Sequence, residues 1–190
     1  CIRITSIGFM KTRIIFALAA AMMLTGCITT KNSAPAIIES DISNAKDDYE
    51  RYILTYYPLA IEQMNRYGIP ASITLAQGLL ESGAGKSELS RKSNNHFGIK
   101  ADKSWNGSTV SSMDNGNLCK FRKYKKVGES YEDHSKFLTG RERYASLFRL
   151  KKNDYEGWAK GLKKAGYAED KQYPNKLISL IERYELYKYD

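Results

Sequence analysis

The fold of this chain follows from one segment, ASITLAQGLLESGAGKSELSRKSNNHFGIK, which occupies residues 71–100. Its first part carries apolar side chains at the spacing of one helix face, which predicts a helix over 71–82. The helix ends on an acidic residue, Glu81, and a glycine-rich loop with two asparagines follows at once. A carboxyl group at the end of a buried helix, facing an open loop, is well placed to act as a general acid in a sugar-binding cleft. The leading hypothesis is therefore an enzyme that acts on glycosidic bonds.

Helical patterns lie on both sides of this segment. Upstream, helices are predicted over 47–57 and 58–67, because Pro58 suits the first turn of a new helix and Gly68 a C-terminal stop. Downstream, the Asp-Asn-Gly-Asn sequence at 114–117 is a strong turn signal between strand-like segments, which predicts a β-hairpin. Further helices are expected at 86–91, 130–138, 144–150, 154–164 and 174–187. The predicted fold class is α+β, mostly helical, with a small β-hairpin lobe and a cleft beside it.

The N-terminal part of the chain carries export signals. Lys11 and Arg13 precede an apolar run over 14–24, which is the layout of a secretory signal peptide. This run is shorter than the roughly 20 residues that a transmembrane helix needs. The Leu-Thr-Gly-Cys sequence that ends at Cys27 resembles the bacterial lipobox, in which the cysteine is lipidated and becomes the mature N-terminus. We therefore expect upstream residues and a lipoprotein signal peptide over 1–26, a flexible tether over 27–44 and a single domain over 45–190.

Charge and cysteine content restrict the function classes. The chain has a formal net charge of +9, and a basic exported protein suits the acidic polymers of a cell wall better than nucleic acid. With Cys1 upstream and Cys27 lipidated, only Cys119 remains, so no disulfide is expected. The two histidines, His96 and His134, are far apart in the sequence; no metal site and no cofactor are expected.

A series of short motifs in a fixed order resembles glycoside hydrolase family 73, the bacterial endo-β-N-acetylglucosaminidases that cut peptidoglycan. The resemblance covers about residues 53–184. Its motifs are PASITLAQ at 70–77, LESGAGKS at 80–87, NNHFGIK at 94–100, FRKY at 121–124, DHSKFL at 133–138 and YPNKL at 173–177. The resemblance implies a lysozyme-like glucosaminidase domain, peptidoglycan glycan strands as the substrate, and hydrolysis of the N-acetylglucosaminyl-β-1,4-N-acetylmuramoyl bond.

The same resemblance implies catalytic roles for three residues. Glu81 is the general acid that protonates the leaving oxygen, and both a helix C-terminus and an apolar cleft favour its protonated form. Asp114, in the hairpin, aligns with a second acid of the family, although Asp-Asn-Gly is also ordinary turn chemistry. Glu129 is the alternative second acid, and it equally suits a helix cap. Tyr173 matches a tyrosine near the cut bond. Retaining, inverting and substrate-assisted routes all stay open.

Four further residues are candidates for substrate binding. The Asn95 amide is of a type that bonds sugar hydroxyls, and Phe97 is expected near the floor beneath the acid. Trp105 and Tyr124 offer aromatic faces of the kind that stack on sugar rings, although packing within the hairpin explains them equally well.

Two other functions are compatible with these residues. A lytic transglycosylase shares the single catalytic glutamate, and a non-catalytic cell-wall-binding lipoprotein would use the same fold. The leading expectation is a monomeric lipoprotein of the cell envelope, anchored to a membrane through an N-terminal lipid and facing the cell wall. In a bacterium with two membranes this means the periplasm or the outer membrane.

Overall fold

The computed structural model describes residues 39–190, and this part of the chain is mostly helical with one β-hairpin. The predicted fold class is confirmed. The predicted signal peptide, Cys27 and most of the predicted tether lie outside the described residues. The helices are α1 (Glu39–Ser43), α2 (Asp48–Tyr67), α3 (Ala71–Ser82), α4 (Glu88–Ser93), α5 (Val127–Thr139), α6 (Tyr155–Lys164) and α7 (Tyr173–Arg183), with 3₁₀ segments at Glu142–Arg149 and Leu186–Tyr189; the strands are β1 (Thr109–Asp114) and β2 (Asn117–Arg122). Over residues 39–190, none of the helices has the length and apolar character needed to cross a membrane.

Helix α2 runs unbroken through Pro58, so the predicted division at this residue is wrong. A proline inside a helix costs about 3 kcal/mol, mainly through one lost backbone hydrogen bond and a steric clash. The apolar face of α2 is buried on both sides of Pro58, and each such side chain contributes about 1.5–3 kcal/mol. Burial of this face therefore outweighs the proline penalty. Gly68 ends the helix as predicted, in the left-handed conformation with φ of 77°.

Helix α3 is the central element of the core and has the bounds that the pattern predicts. Every side chain from Ala71 to Leu79 is buried, because α2, α7 and the last 3₁₀ segment pack around it. Pro70 leaves the N-terminus without a local side-chain cap. Instead, the Asp190 carboxylate accepts hydrogen bonds from the Ser72 backbone N–H (2.8 Å) and from Ser72 Oγ (2.6 Å). The helix that carries Glu81 is thus fixed along its whole length.

The β-hairpin forms the small lobe that the turn signal predicts. Strands β1 and β2 are antiparallel, with Asp114 opposite Asn117. Asn115 and Gly116 have φ of 46° and 80°, as a two-residue type I′ turn requires. Asp114 is therefore the last strand residue before the turn, and its position is set by the strand register.

Candidate active site

A cleft of about 1020 Å³ opens beside the end of α3, between the hairpin and the start of α7. Glu81, Asp114 and Tyr173, which come from three separate elements, all line it. The structure therefore brings together the three residues for which catalytic roles are predicted. Phe97 also lines the cleft, and its ring is stacked on the His134 ring with centroids 4.1 Å apart.

Glu81 lies in the last turn of α3, where the buried helix meets the cleft. Burial raises the pKa of its carboxyl group from 4.5 to about 7, a hydrogen bond from Tyr173 opposes this rise, and the nearby Asp114 carboxylate adds to it. Desolvation is the dominant cause, since a carboxylate loses its hydration when it is buried. At neutral pH a large fraction of Glu81 is therefore protonated, which is the state that a general acid needs.

Tyr173 is the first residue of α7 and is buried against the catalytic helix. Its hydroxyl oxygen accepts a hydrogen bond from Gln77 Nε2 at 2.9 Å. Its ring stacks on Tyr167, with centroids 5.7 Å apart. Burial, reinforced by the charge of Glu81, raises the pKa of the Tyr173 hydroxyl well above its usual value. Tyr173 therefore keeps its proton and acts as a fixed hydrogen-bond donor beside Glu81.

Asp114 reaches the cleft from the hairpin and is ion-paired there. Lys100 Nζ lies 2.6 Å from Asp114 Oδ2, and this hydrogen bond raises the pKa of Lys100. The side chain of Asp114 is 36% exposed, so substrate has access to it. The negative charge of Asp114 also raises the pKa of Glu81. The two carboxyl groups therefore interact electrostatically.

Asn95 lies behind the cleft, not in its lining. It is buried, and its amide nitrogen donates to the Ile99 and Arg122 carbonyls at 3.0 and 2.9 Å. Its amide oxygen accepts from the Ile99 N–H at 3.1 Å. The two bonds to Ile99 close the 95–99 loop, and the bond to Arg122 joins this loop to β2. Because backbone groups use the polar atoms of Asn95, the structure gives no support to the predicted sugar contact, which stays a prediction.

Trp105 and Tyr124 also lie outside the cleft lining. Their rings pack edge to face, with centroids 5.8 Å apart, and the Arg122 guanidinium covers the Trp105 ring at 4.7 Å. The Tyr124 ring is buried, and its hydroxyl donates to Asp133 Oδ2 at 2.5 Å. These contacts favour the alternative of packing at the base of the hairpin, and sugar stacking stays an untested prediction.

Glu129, the alternative second acid, lies in the first turn of α5. Its Oε2 accepts a hydrogen bond from the Lys125 backbone N–H at 3.0 Å, just before α5 begins. It does not line the cleft. Asp114 is therefore the better placed of the two candidates.

Sequence reasoning assigned no role to Gln77 and Lys100, which contact the catalytic candidates directly. Gln77 carried a usable signal, because a polar residue four positions before Glu81 shares its helix face. Lys100 carried none, since its contact with Asp114 depends on how the hairpin folds over the 95–100 loop. Within residues 39–190, no cluster of His, Cys, Asp and Glu side chains is suited to hold a metal ion.

The helical body and the hairpin lobe meet at Glu81, a carboxyl group with a raised pKa. This arrangement is typical of lysozyme-like glycosidases. Comparison with known proteins specifies the class further. Residues 57–186 match the family described as "Glucosaminidase: Mannosyl-glycoprotein endo-beta-N-acetylglucosaminidase". The chain therefore belongs to the glucosaminidase family, glycoside hydrolase family 73.

Several relatives agree with this assignment. The chain is 31% identical to the peptidoglycan hydrolase FlgJ of Vibrio parahaemolyticus, over 73% of this chain and 48% of the relative. It is 35% identical to the exo-glucosaminidase LytG of Bacillus subtilis, over 66% of this chain and 48% of the relative. The chain thus spans about half the length of these curated relatives.

Solved structures share the fold. The glycoside hydrolase domain of Salmonella typhimurium FlgJ matches with a TM-score of 0.61 and 31% identity, over 73% of this chain and 89% of that domain. A peptidoglycan hydrolase from Sphingomonas sp. A1 matches with a TM-score of 0.64 and 29% identity, over 73% of this chain and 90% of that chain. The match therefore covers about nine tenths of each of these two solved chains.

Proposed function

We propose that this domain hydrolyses the N-acetylglucosaminyl-β-1,4-N-acetylmuramoyl bond of peptidoglycan. The observation that carries this proposal is Glu81, a carboxyl group with a pKa of about 7 at the wall of a long cleft. Family membership and the names of the relatives, which include peptidoglycan hydrolases and a glucosaminidase, support the substrate class.

Glu81 is the general acid of this mechanism. It gives its proton to the glycosidic oxygen as the bond to the sugar carbon breaks, and it becomes a carboxylate. The hydrogen bond from Tyr173 then stabilises the charge that appears on Glu81. Since the proton donor must be protonated, kcat/KM falls as the pH rises through about 7.

Asp114 is the second carboxylate, and it acts on the positively charged transition state or on the attacking water. One of its oxygens is held by Lys100, and a carboxylate with such a partner is a weaker nucleophile. Its partial exposure at the end of β1 also gives water access. These features favour a route without a covalent bond between Asp114 and the sugar.

The products of peptidoglycan digestion test the proposal. The purified protein is expected to release fragments with reducing N-acetylglucosamine ends, read by mass spectrometry after borohydride reduction. Asp114→Asn should lower the rate by about 100-fold, the lower end of what a positioned acid or base contributes. Asp170→Asn, at another aspartate of the cleft that pairs with Lys176, is the matched control and should stay within twofold.

Other outcomes would point elsewhere. Anhydro-muramoyl ends would show a lytic transglycosylase, and binding without cleavage by the folded protein would show a wall-binding protein. If Asp114→Asn cleaves as fast as the parent, Asp114 has no part in the mechanism. The proposed reaction itself would still stand.

We also propose that the domain acts from a membrane anchor in the cell envelope. The support is the sequence of the leader, with the lipobox-like residues before Cys27 and the polar segment that separates them from the domain. The division into a signal peptide over 1–26, a tether over 27–44 and a domain over 45–190 belongs to this proposal. A lipid anchor would hold the enzyme beside the wall that it cuts.

Cys27→Ala is expected to move the protein from the membrane fraction to the soluble fraction, because no lipid can then be attached. The measurement is fractionation of cells that express each form, with mass spectrometry of the N-terminal peptide. Cys119→Ala is the control and should stay with the membrane. Membrane association of Cys27→Ala equal to that of the parent would contradict the anchor.

A further inference from the structure

Gln77 is a polar side chain in the middle of the buried helix α3. Its Nε2 donates to the Tyr173 hydroxyl oxygen at 2.9 Å, while its own Oε1 has no hydrogen-bond partner among the described residues. A buried amide oxygen without a partner is destabilising, so an apolar side chain of the same shape would suit the core better. A polar residue at such a position therefore has a reason other than stability. The hydrogen bond from Gln77 to Tyr173 is the reason that the structure offers.

The hydrogen bond from Gln77 determines the direction in which the Tyr173 hydroxyl donates. An amide N–H is only a donor, and a phenol has a single proton to give. The Tyr173 oxygen accepts from Gln77, so its proton is available to Glu81, which lines the same cleft and whose pKa the Tyr173 hydroxyl lowers. Gln77 thus donates to Tyr173, and Tyr173 in turn donates to Glu81.

The direction of this series matters for the proton that Glu81 transfers. While Tyr173 donates to one carboxyl oxygen of Glu81, the acid proton resides on the other oxygen. If the Gln77 donor is absent, the Tyr173 oxygen becomes a stronger and less crowded acceptor, and the Glu81 O–H can turn towards it. That alternative hydrogen bond withholds the proton from the glycosidic oxygen.

We propose that Gln77 is a positioning residue, which holds the Tyr173 hydroxyl as a donor to Glu81 and so keeps the acid proton of Glu81 directed into the cleft. This inference rests on the proposed function. It predicts that loss of the Gln77 amide affects proton transfer, and therefore kcat, more than substrate binding.

Gln77→Met removes the donor and keeps a side chain of similar length and volume. It should lower kcat by about tenfold, roughly the effect of one hydrogen bond, and leave KM within twofold. Thr74→Val is the matched control, because Thr74 is buried on the same helix and its hydroxyl has no hydrogen-bond partner in the described part of the chain. Its kcat and KM should both stay within twofold. A kcat for Gln77→Met equal to that of Thr74→Val would overturn the inference.

A double variant tests whether Gln77 acts through Tyr173. Tyr173→Phe and the double variant Gln77→Met/Tyr173→Phe should have the same kcat, since without the hydroxyl there is nothing for Gln77 to orient. Losses that add in the double variant would show that Gln77 acts by another route and would overturn the proposal.

Titration of Glu81 by carbon NMR gives a readout that does not depend on cleavage. In Gln77→Met the pKa of Glu81 should rise, because Tyr173 is no longer committed to stabilising the carboxylate; in Thr74→Val it should not change. An unchanged pKa in Gln77→Met would overturn the inference, even if the parent cleaves peptidoglycan. A parent that does not cleave, with the pKa rise present, would overturn the proposed function alone.

Discussion

Replacing Glu81 with glutamine is expected to lower kcat by roughly a thousandfold and to make the protein more stable at the same time. Loss of activity follows because an amide has no acid proton to give to the leaving oxygen, and general acids contribute about 10²–10⁴-fold. Stability rises because the parent keeps a carboxyl group in a place that disfavours its charge. Burial is the main reason that the pKa of Glu81 lies at about 7 in the folded protein.

The direction of the stability effect with pH follows from this raised pKa. Between 4.5 and about 7, folded Glu81 holds its proton while unfolded Glu81 has lost it. The free energy of unfolding therefore falls as the pH rises through this window. At about 1.4 kcal/mol for each pKa unit, the penalty is about 3 kcal/mol at pH 8 and below about 1 kcal/mol at pH 5. Glu81→Gln removes it, since glutamine does not ionise.

Urea unfolding at pH 8 and at pH 5 measures this effect beside the kinetics. The stability gain of Glu81→Gln should be clear at pH 8 and small at pH 5. Glu88→Gln is the control, because Glu88 also lines the cleft but is solvent-exposed and paired with Lys92. It should keep its activity and show no gain that grows with pH. A Glu81→Gln protein that is inactive but no more stable at pH 8 would contradict the buried, protonated acid.

The parts of the fold that sequence predicted are those with local causes. Helix α3 has an apolar pattern with Pro70 before it and Gly83 after it, and its predicted bounds agree with the structure. The Asn115-Gly116 turn fixes the hairpin, because both residues adopt a positive φ that the type I′ turn needs. The placement of Glu81 at the end of a buried helix follows from the same local pattern.

The surroundings of the candidate site depend on distant partners, and these could not be predicted from the sequence. Asn95 is of a type that binds sugars, but backbone groups of Ile99 and Arg122 take its hydrogen bonds. For Tyr124 the sequence leaves sugar stacking and hairpin packing equally open, and the hydrogen bond from its hydroxyl to Asp133 in α5 favours packing. The spacing of residues along the sequence does not reveal these contacts, because they form only when the hairpin packs against the helical body. Sequence could thus place the candidate acid, Glu81, at the end of a buried helix, but not the side chains that surround it.

Arg122 joins the hairpin lobe to the helical body, and we expect its replacement to destabilise the protein strongly. The guanidinium contacts both Asp133 oxygens at 3.1 and 3.0 Å, and its other terminal nitrogen lies 3.1 Å from Asp102 Oδ2. Its Nε donates to the Lys100 carbonyl at 3.3 Å. Lys100 is the partner of Asp114, so Arg122 supports the segment that holds the second carboxylate.

We expect Arg122→Met to destabilise the protein by about 3 kcal/mol, the lower end for breaking a buried ion pair from one side. Methionine keeps an unbranched apolar side chain beside Trp105 but leaves Asp133, whose side chain is only 19% exposed, with a charge and without the cation of Arg122. The Tyr124 hydroxyl still donates to Asp133, which limits the loss. Urea unfolding at pH 7 measures the change. Lys123→Met, at the exposed neighbouring residue, is the control and should stay within about 0.5 kcal/mol.

A second substitution separates the cost of the orphaned charge from the loss of packing. Because most of the penalty comes from Asp133 left without its cation, Arg122→Met/Asp133→Asn should be more stable than Arg122→Met alone. Both variants should lower kcat, since the Lys100 carbonyl and Asp102 lose their anchor in either case. If the double variant is no more stable than the single one, an unpaired charge on Asp133 is not the source of the loss. If Arg122→Met is as stable as Lys123→Met, the hairpin lobe is held in place by its backbone hydrogen bonds to the 99–101 segment, without help from the ion pair.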